Sequence, residues 1–247
     1  MDYKRITELY YECWLGKTGV LSMPGIQLIE SQERNQAQPG YGTPYALWIW
    51  RTEKSLLISY GEKAAPSIHV LAEKLSLTMS NEELMAAIES VYGGQVEQGI
   101  KYVYAGPSAP ESRAKVLTAE DYPLYKDFFE ANNPSMGEAK WLREYFDEMV
   151  EAGVCCGMIE DGKLASCTDA PTMPYMAEEV QEVGINTLPE YRRKHLAAEV
   201  VRRCIGQIIQ QGKCPMWSTS AGNIPSQRLA ERVGFEKIAD YFTLYIK

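Results

Sequence analysis

"LPEYRRKHLAAEV", residues 188–200, is the stretch from which the fold can be read. Pro189 stops a strand-like run, three cations follow at Arg192, Arg193 and Lys194, and His195 opens an apolar helical pattern. A helix start is already the positive end of the helix dipole, so added cations cost stability there unless something anionic sits in front of them. Strand, tight loop, then a helix with cations in its first turn is an anion-binding arrangement, because the first backbone N–H groups point out of the helix unpaired. Three cations suit a diphosphate better than a single carboxylate. Solvated surface charge is the competing reading of the same residues.

Working outward, Leu196, Val200, Cys204, Ile205, Ile208 and Ile209 give an apolar stripe that ends at Gly212, which predicts an amphipathic helix. Residues 177–188 precede it as a strand, and "CPMWSTS" (214–220) follows as another. "NIPSQRLAERVGF" (223–235) reads as a short helix closed by Gly234, and the chain ends in strand. Upstream, Thr118 can cap a helix, and Ser135 with Glu138 forms a capping-box pattern ahead of Trp141, Leu142, Tyr145, Phe146, Met149 and Val150. Asp161-Gly162 between two apolar runs signals a hairpin, since both residues suit the positive dihedrals of a tight turn. This half is therefore α-α-β-β-β-α-β-α-β.

The first half reads as mixed α/β. Residues 3–15 predict a helix with Ile6, Leu9, Tyr10 and Cys13 on one face. Residues 44–50 and 55–60 predict paired strands, Ser80 and Glu83 a capping box on a helix ending at Gly93-Gly94, and 100–105 a further strand. No stretch here has the spacing of a catalytic motif. "YAGPSAPESRAK" (104–115) lacks periodicity and is rich in Pro, Ser and Gly. It predicts a boundary between a smaller α/β domain of unassigned role at 1–106 and a second domain at 114–247.

Composition bounds the rest. The chain has 247 residues, 45% of them hydrophobic and 23% charged, which suits a globular protein with ample core. No run is long enough for a membrane span and the N-terminus lacks a signal-peptide core, so the expectation is a cytoplasmic protein with no membrane partner. The six Cys include no C-x-x-C and read as core residues, and two His argue against a His-rich metal site, so no metal is expected. A net charge of -8 argues against nucleic-acid binding. Residues 111–151 hold ten acids against five bases, either a solvated helical face or an acidic approach path for a cationic acceptor.

"TLPEYRRKHLA" resembles motif A of the GNAT superfamily of N-acetyltransferases, Arg/Gln-x-x-Gly-x-Gly/Ala after a strand. Arg192 holds the first position and Ala197 the last, with His195 where Gly is usual. "NIPSQRLAERVGF" resembles the family's later Asn-x-x-Ser/Ala…Gly-Phe helix, and the order of elements after about residue 114 is similar to the GNAT fold throughout. The resemblance implies a mixed, mostly antiparallel sheet flanked by helices, and acetyl-coenzyme A as cosubstrate. The loop formed by Arg192, Arg193, Lys194, His195, Leu196 and Ala197 would hold the pyrophosphate. The strand edge at Ile185, Asn186 and Thr187 would pair with the pantetheine arm and splay from 214–219, and Asn223 and Ser226 would line the pantetheine side. Asn223 also suits a helix cap. His195 reads as a tolerated substitution that still offers its N–H from a helix.

Acetyl transfer to an amine needs a base, donors for the developing oxyanion and, in some enzymes, an acid for the thiolate. The resemblance puts the base on or near the strand before motif A. Glu178, Glu179 and Glu182 are the candidates, with Glu182 first and Glu179 second, and solvated strand charge as the bland alternative. A backbone N–H near Ile185 would serve the oxyanion. The family's usual acid, a Tyr, would fall at Ala230, leaving Tyr241 or Tyr245 as substitutes or no acid at all. The expected activity is acetyl-CoA-dependent N-acetylation of a primary amine on a small molecule, with a likeness to the zwittermicin-resistance branch. The alternatives are a non-catalytic CoA- or partner-binding relative and a protein-lysine acetyltransferase. A homodimer is left open.

Overall fold

The computed structural model describes residues 1–37, 42–137 and 139–246. The chain opens with α1 (Tyr3–Leu15), capped by Asp2, whose carboxylate accepts from Arg5 N at 3.0 Å. Its buried face is Thr7, Tyr10, Tyr11, Trp14 and Leu15, turned by about one residue from the expected Ile6, Leu9, Tyr10 and Cys13. The large rings decide the rotation: Tyr11 meets Trp50 at 5.0 Å and Trp14 stacks on Trp48 at 5.8 Å. Each such ring removes about 150–250 Å² from water, more than Ile6 or Cys13 would.

Strands β1 (Gly25–Glu30), β2 (Leu47–Arg51) and β3 (Ser55–Tyr60) follow, then α2 (Ile68–Ala72), α3 (Asn81–Tyr92) and β4 (Val96–Tyr104). The Ser80–Glu83 capping box forms, with Glu83 N to Ser80 Oγ at 3.1 Å and Ser80 N to Glu83 Oε2 at 2.6 Å. Next come β5 (Lys115–Val116), α4 (Tyr122–Asn132), α5 (Leu142–Glu151), β6 (Cys156–Glu160), β7 (Lys163–Asp169), β8 (Val180–Glu182) and β9 (Gly184–Thr187). The chain closes with α6 (Leu196–Gln210), β10 (Cys214–Ser220), α7 (Ile224–Val233) and β11 (Phe235–Leu244). Asp161 and Gly162 take φ of 52° and 75°, the hairpin geometry their sequence predicts. The expected Ser135–Glu138 box involves Glu138, which lies outside the described residues; α5 begins at Leu142.

The larger sheet runs β1-β3-β2-β11-β4-β10-β8 and the smaller β5-β6-β7-β9. All neighbours are antiparallel except β1–β3 and β10–β8. The sheet is thus mixed and mostly antiparallel with helices on its flanks, as expected.

The expected division at 106–114 does not describe this arrangement. β11 pairs with β2 on one side and β4 on the other, and β10 pairs with β4. Tyr102 and Tyr104 share a core with Phe146, Val200 and Phe235, while Trp14 and Trp48 share another with Cys214 and Met216. The Pro/Ser-rich segment is a fastened crossing. Tyr104 Oη donates to Pro107 O at 2.7 Å, Ser112 Oγ to Glu199 O at 2.5 Å, and Arg203 Nε to Ala114 O at 2.7 Å. Its composition removes periodicity without making it a free linker.

Candidate active site

Residues 177–188 were expected as one strand; the strand begins only at Val180 and divides at Val183. β8 pairs in parallel with β10, bringing Glu182 opposite Met216, and Val183 N still donates to Met216 O at 3.0 Å. From Gly184 on, the chain leaves β10 and pairs with β7 instead, with Ile185 opposite Thr168 and Thr187 opposite Ser166. A Cβ on Gly184 would stand 2.8 Å from the Asp169 carbonyl oxygen, so the residue at the turn-off has no room for a side chain. The two sheets therefore part between β9 and β10, leaving a cleft of about 710 Å³.

Ile185, Asn186, Thr187, Arg192, Arg193, His195, Leu196, Ala197, Asn223 and Ser226 all line this cleft. Of the residues expected to bind there, Lys194 alone is not part of its wall; its Nζ lies over the Tyr191 ring at 4.7 Å. Sequence reading missed Trp217, Ser218, Arg228 and Arg232. The two arginines stand one helical turn apart on α7, a spacing visible in the sequence, but only the fold turns that face toward α6. Among the described residues no Asp or Glu lines the cleft, although the chain carries a net charge of -8. Four Arg thus concentrate positive potential in one groove.

The loop before α6 explains how backbone joins that potential. Arg193 and His195 both take φ of 62°, the left-handed region. His195 is the N-cap of α6 and not its first helical residue, which corrects the expectation of a helical His. The position where motif A has Gly thus keeps the backbone that Gly favours. Its Nδ1 lies 2.5 Å from Arg232 Nη1, which anchors the ring on α7. The amides of Arg193, Lys194, His195, Leu196 and Ala197 have no backbone acceptor among the described residues. Arg192 Nε donates to Thr187 O at 3.2 Å and ties the loop to the end of β9.

Asn223 caps α7, its Oδ1 accepting from Ser226 N at 3.2 Å, so capping and cleft lining coexist. Trp217 is buried in the wall, and its indole Nε1 has no hydrogen-bond partner among the described residues.

Glu182 ends β8 just before the sheets part, next to the lining residues Val183 and Ser218. Ser218 Oγ donates to Glu182 Oε1, so the hydroxyl holds the carboxylate. Glu178 and Glu179 lie in the exposed turn before β8, with no contact to the cleft. On the same sheet face as Ser218, opposite it in register, is Lys101 of β4. Its Nζ sits 3.9 Å from the centre of the Tyr241 ring and 5.2 Å from that of Tyr11. Burial pushes the Lys101 ammonium down to about 8, with the Glu182 carboxylate opposing part of the shift. Burial, and then Glu182, raise the Tyr11 phenol. Of the acid substitutes considered, Tyr241 faces this cluster, whereas Tyr245 packs on Tyr45 at 4.7 Å. Ala230 is fully buried.

The family model described as GNAT acetyltransferase matches residues 56–244. The chain belongs to the GNAT acetyltransferase family. That match begins in β3 and crosses the 106–114 segment, consistent with the shared sheet. Two solved GNAT structures resemble the fold. An acetyltransferase of the GNAT family from Colwellia psychrerythraea gives a TM-score of 0.53 at 15% identity over 78% of this chain and 77% of that one. A GCN5-related N-acetyltransferase from Sphaerobacter thermophilus gives 0.51 at 16% identity over 67% of this chain and 56% of that one. No curated protein matches. Neither the GNAT match nor these structures support the zwittermicin-resistance branch. Among the described residues no helix is long and apolar enough to cross a membrane.

Proposed function

We propose that the protein is an acetyl-CoA-dependent N-acetyltransferase of small primary amines. The observation that carries this is the cleft, free of Asp and Glu among the described residues, whose wall combines Arg192, Arg193, His195, Arg228 and Arg232 with the amides of Arg193, His195, Leu196 and Ala197, none of which has a backbone acceptor among the described residues. That donor set fits a diphosphate with a further phosphate nearby, as coenzyme A has. The buried, unpartnered Trp217 N–H and the cleft-side edge of β9 suit the amide-rich arm. Bound acetyl-coenzyme A supplies the thioester carbonyl that the amine attacks. Glu182, oriented by Ser218, takes the proton from the acceptor nitrogen.

The absence of a hydroxyl at buried Ala230 favours a second reading, a relative that binds coenzyme A without turnover. Two measurements separate these. Calorimetry should show coenzyme A binding that weakens about 10-fold or more in Arg228→Glu/Arg232→Glu, since each charge-assisted contact contributes roughly 1.5–3 kcal/mol. Thiol release from acetyl-CoA should appear with an amine panel. Binding without thiol release across that panel would leave only the second reading, and unchanged affinity in the charge-reversed variant would remove both.

A further inference from the structure

Lys101 and Glu182 carry opposite charges on one face of the sheet, yet no ion pair joins them. Glu182 is held by Ser218, and every interaction of Lys101 is with the Tyr11 and Tyr241 rings or, through space, with Glu182. The Lys101 side chain is half-buried, so its ammonium loses much of its water without gaining a hydrogen-bond acceptor among the described residues. A Cβ on Gly99, which pairs with Tyr241 two positions from the Ala239–Lys101 pairing, would stand 2.2 Å from a carbon of the Tyr241 ring; the bare glycine lets Tyr241 lie flat across β4 and under Lys101. The ammonium is therefore held in place by rings rather than left to swing into solvent. An acceptor whose only charge is its ammonium gives no reason for a second cation beside the base, because Lys101 would repel it. An acceptor bearing both charges does: its amine faces Glu182 and its anionic group faces Lys101.

We propose that the acceptor is a short amino carboxylate, and that Lys101 is the residue that binds its carboxylate. This rests on the acetyl-transfer reading of the same site. The step itself is ordinary: the neutral amine nitrogen bonds to the acetyl carbon, the carbon–sulfur bond breaks, and Glu182 takes the amine proton. Lys101 takes no part in bond making and fixes the acceptor so that its nitrogen is presented to Glu182.

The test uses the full chain with acetyl-CoA and matched acceptors: glycine, alanine and phenylalanine, each against its carboxamide. The unmodified protein should prefer the acids by 10-fold or more in kcat/KM, chiefly through KM. Lys101→Gln should collapse that preference toward unity, Lys101→Arg should restore part of it, and both should bind coenzyme A as the parent does. N-acetylphenylalanine, which keeps the carboxylate but has no basic amine, should bind the CoA-loaded parent and not Lys101→Gln. Carboxamides acetylated as well as the acids by the parent would overturn this inference while leaving acetyl transfer intact. Mass spectrometry showing Lys101 itself acetylated would also overturn it, since an amide cannot pair with a carboxylate. Loss of coenzyme A binding and of all turnover in the parent would instead overturn the acetyl-transfer reading, and this inference with it.

Discussion

His195 shows how much a single residue can reveal and conceal. Its position in the motif was legible in the sequence, as was the departure from Gly. The backbone it adopts was not, because a His at a helix start is compatible with helical dihedrals until the neighbouring loop is known. The φ of 62° says that the loop geometry won over the side chain's preference. Left-handed backbone at a residue with a Cβ costs about 1 kcal/mol or more, and Gly returns part of that through its freer unfolded chain. His195→Gly should therefore be more stable than His195→Ala by about 0.5–1 kcal/mol, since both lose the contact with Arg232 and only Gly relieves the backbone. His195→Ala should gain nothing, because it keeps the Cβ and loses the contact with Arg232. Chemical denaturation of the three proteins checks this; an Ala variant as stable as the Gly variant would mean that the imidazole, not the backbone, is the burden.

At the scale of elements, helices and turns were legible wherever their signals are local. The α6 stripe, the Ser80–Glu83 box, the Asp161-Gly162 turn and the Gly234 stop all act within a few residues. The break at Val183 was not legible, because alternation says which face a residue takes and not which strand it pairs with. That break decides the site. It sends Glu182 toward Ser218 on β10 and Ile185 toward the cleft, and it leaves Glu179 in an exposed turn. The ranking of Glu182 ahead of Glu179 thus rests on which sheet each half of the strand joins. If Glu182 is the proton acceptor, Glu182→Gln should lower kcat/KM by about 10²–10⁴-fold near neutral pH. The deficit should shrink as pH rises, since more of the acceptor amine is then already neutral. Ser218→Ala, which frees the carboxylate without removing it, should cost much less in kcat/KM. A pH-independent deficit in Glu182→Gln would assign the carboxylate to structure, and a larger loss in Glu179→Gln would move the base to the turn.

At the scale of the whole molecule, the sequence misled through its most conspicuous punctuation. A stretch rich in Pro, Ser and Gly reads as a linker because it breaks periodicity, yet a fastened crossing has the same composition. What distinguishes them is long-range: β11, the last strand, lies between β2 and β4, and β10 borders β4 on the other side. Strand pairing at such separation leaves no local trace. It does have a thermodynamic consequence. Without residues 1–106, β10 and β11 would each lose β4 as a neighbour and expose Trp217 and Phe235 on the face that Tyr102 and Tyr104 now cover. Without residues 114–247, β2 and β4 would be separated by the width of a missing strand. Neither fragment should fold alone: each should lack a cooperative thermal transition, and the two co-expressed should recover one. Limited proteolysis should spare 106–114, where Ser112 and Ala114 are bonded to α6, in favour of loops without such ties. A 114–247 fragment that melts cooperatively and binds coenzyme A would show that β4 is an accessory to the acetyltransferase sheet; failure of that fragment, with recovery on co-expression, would make β4 a part of it.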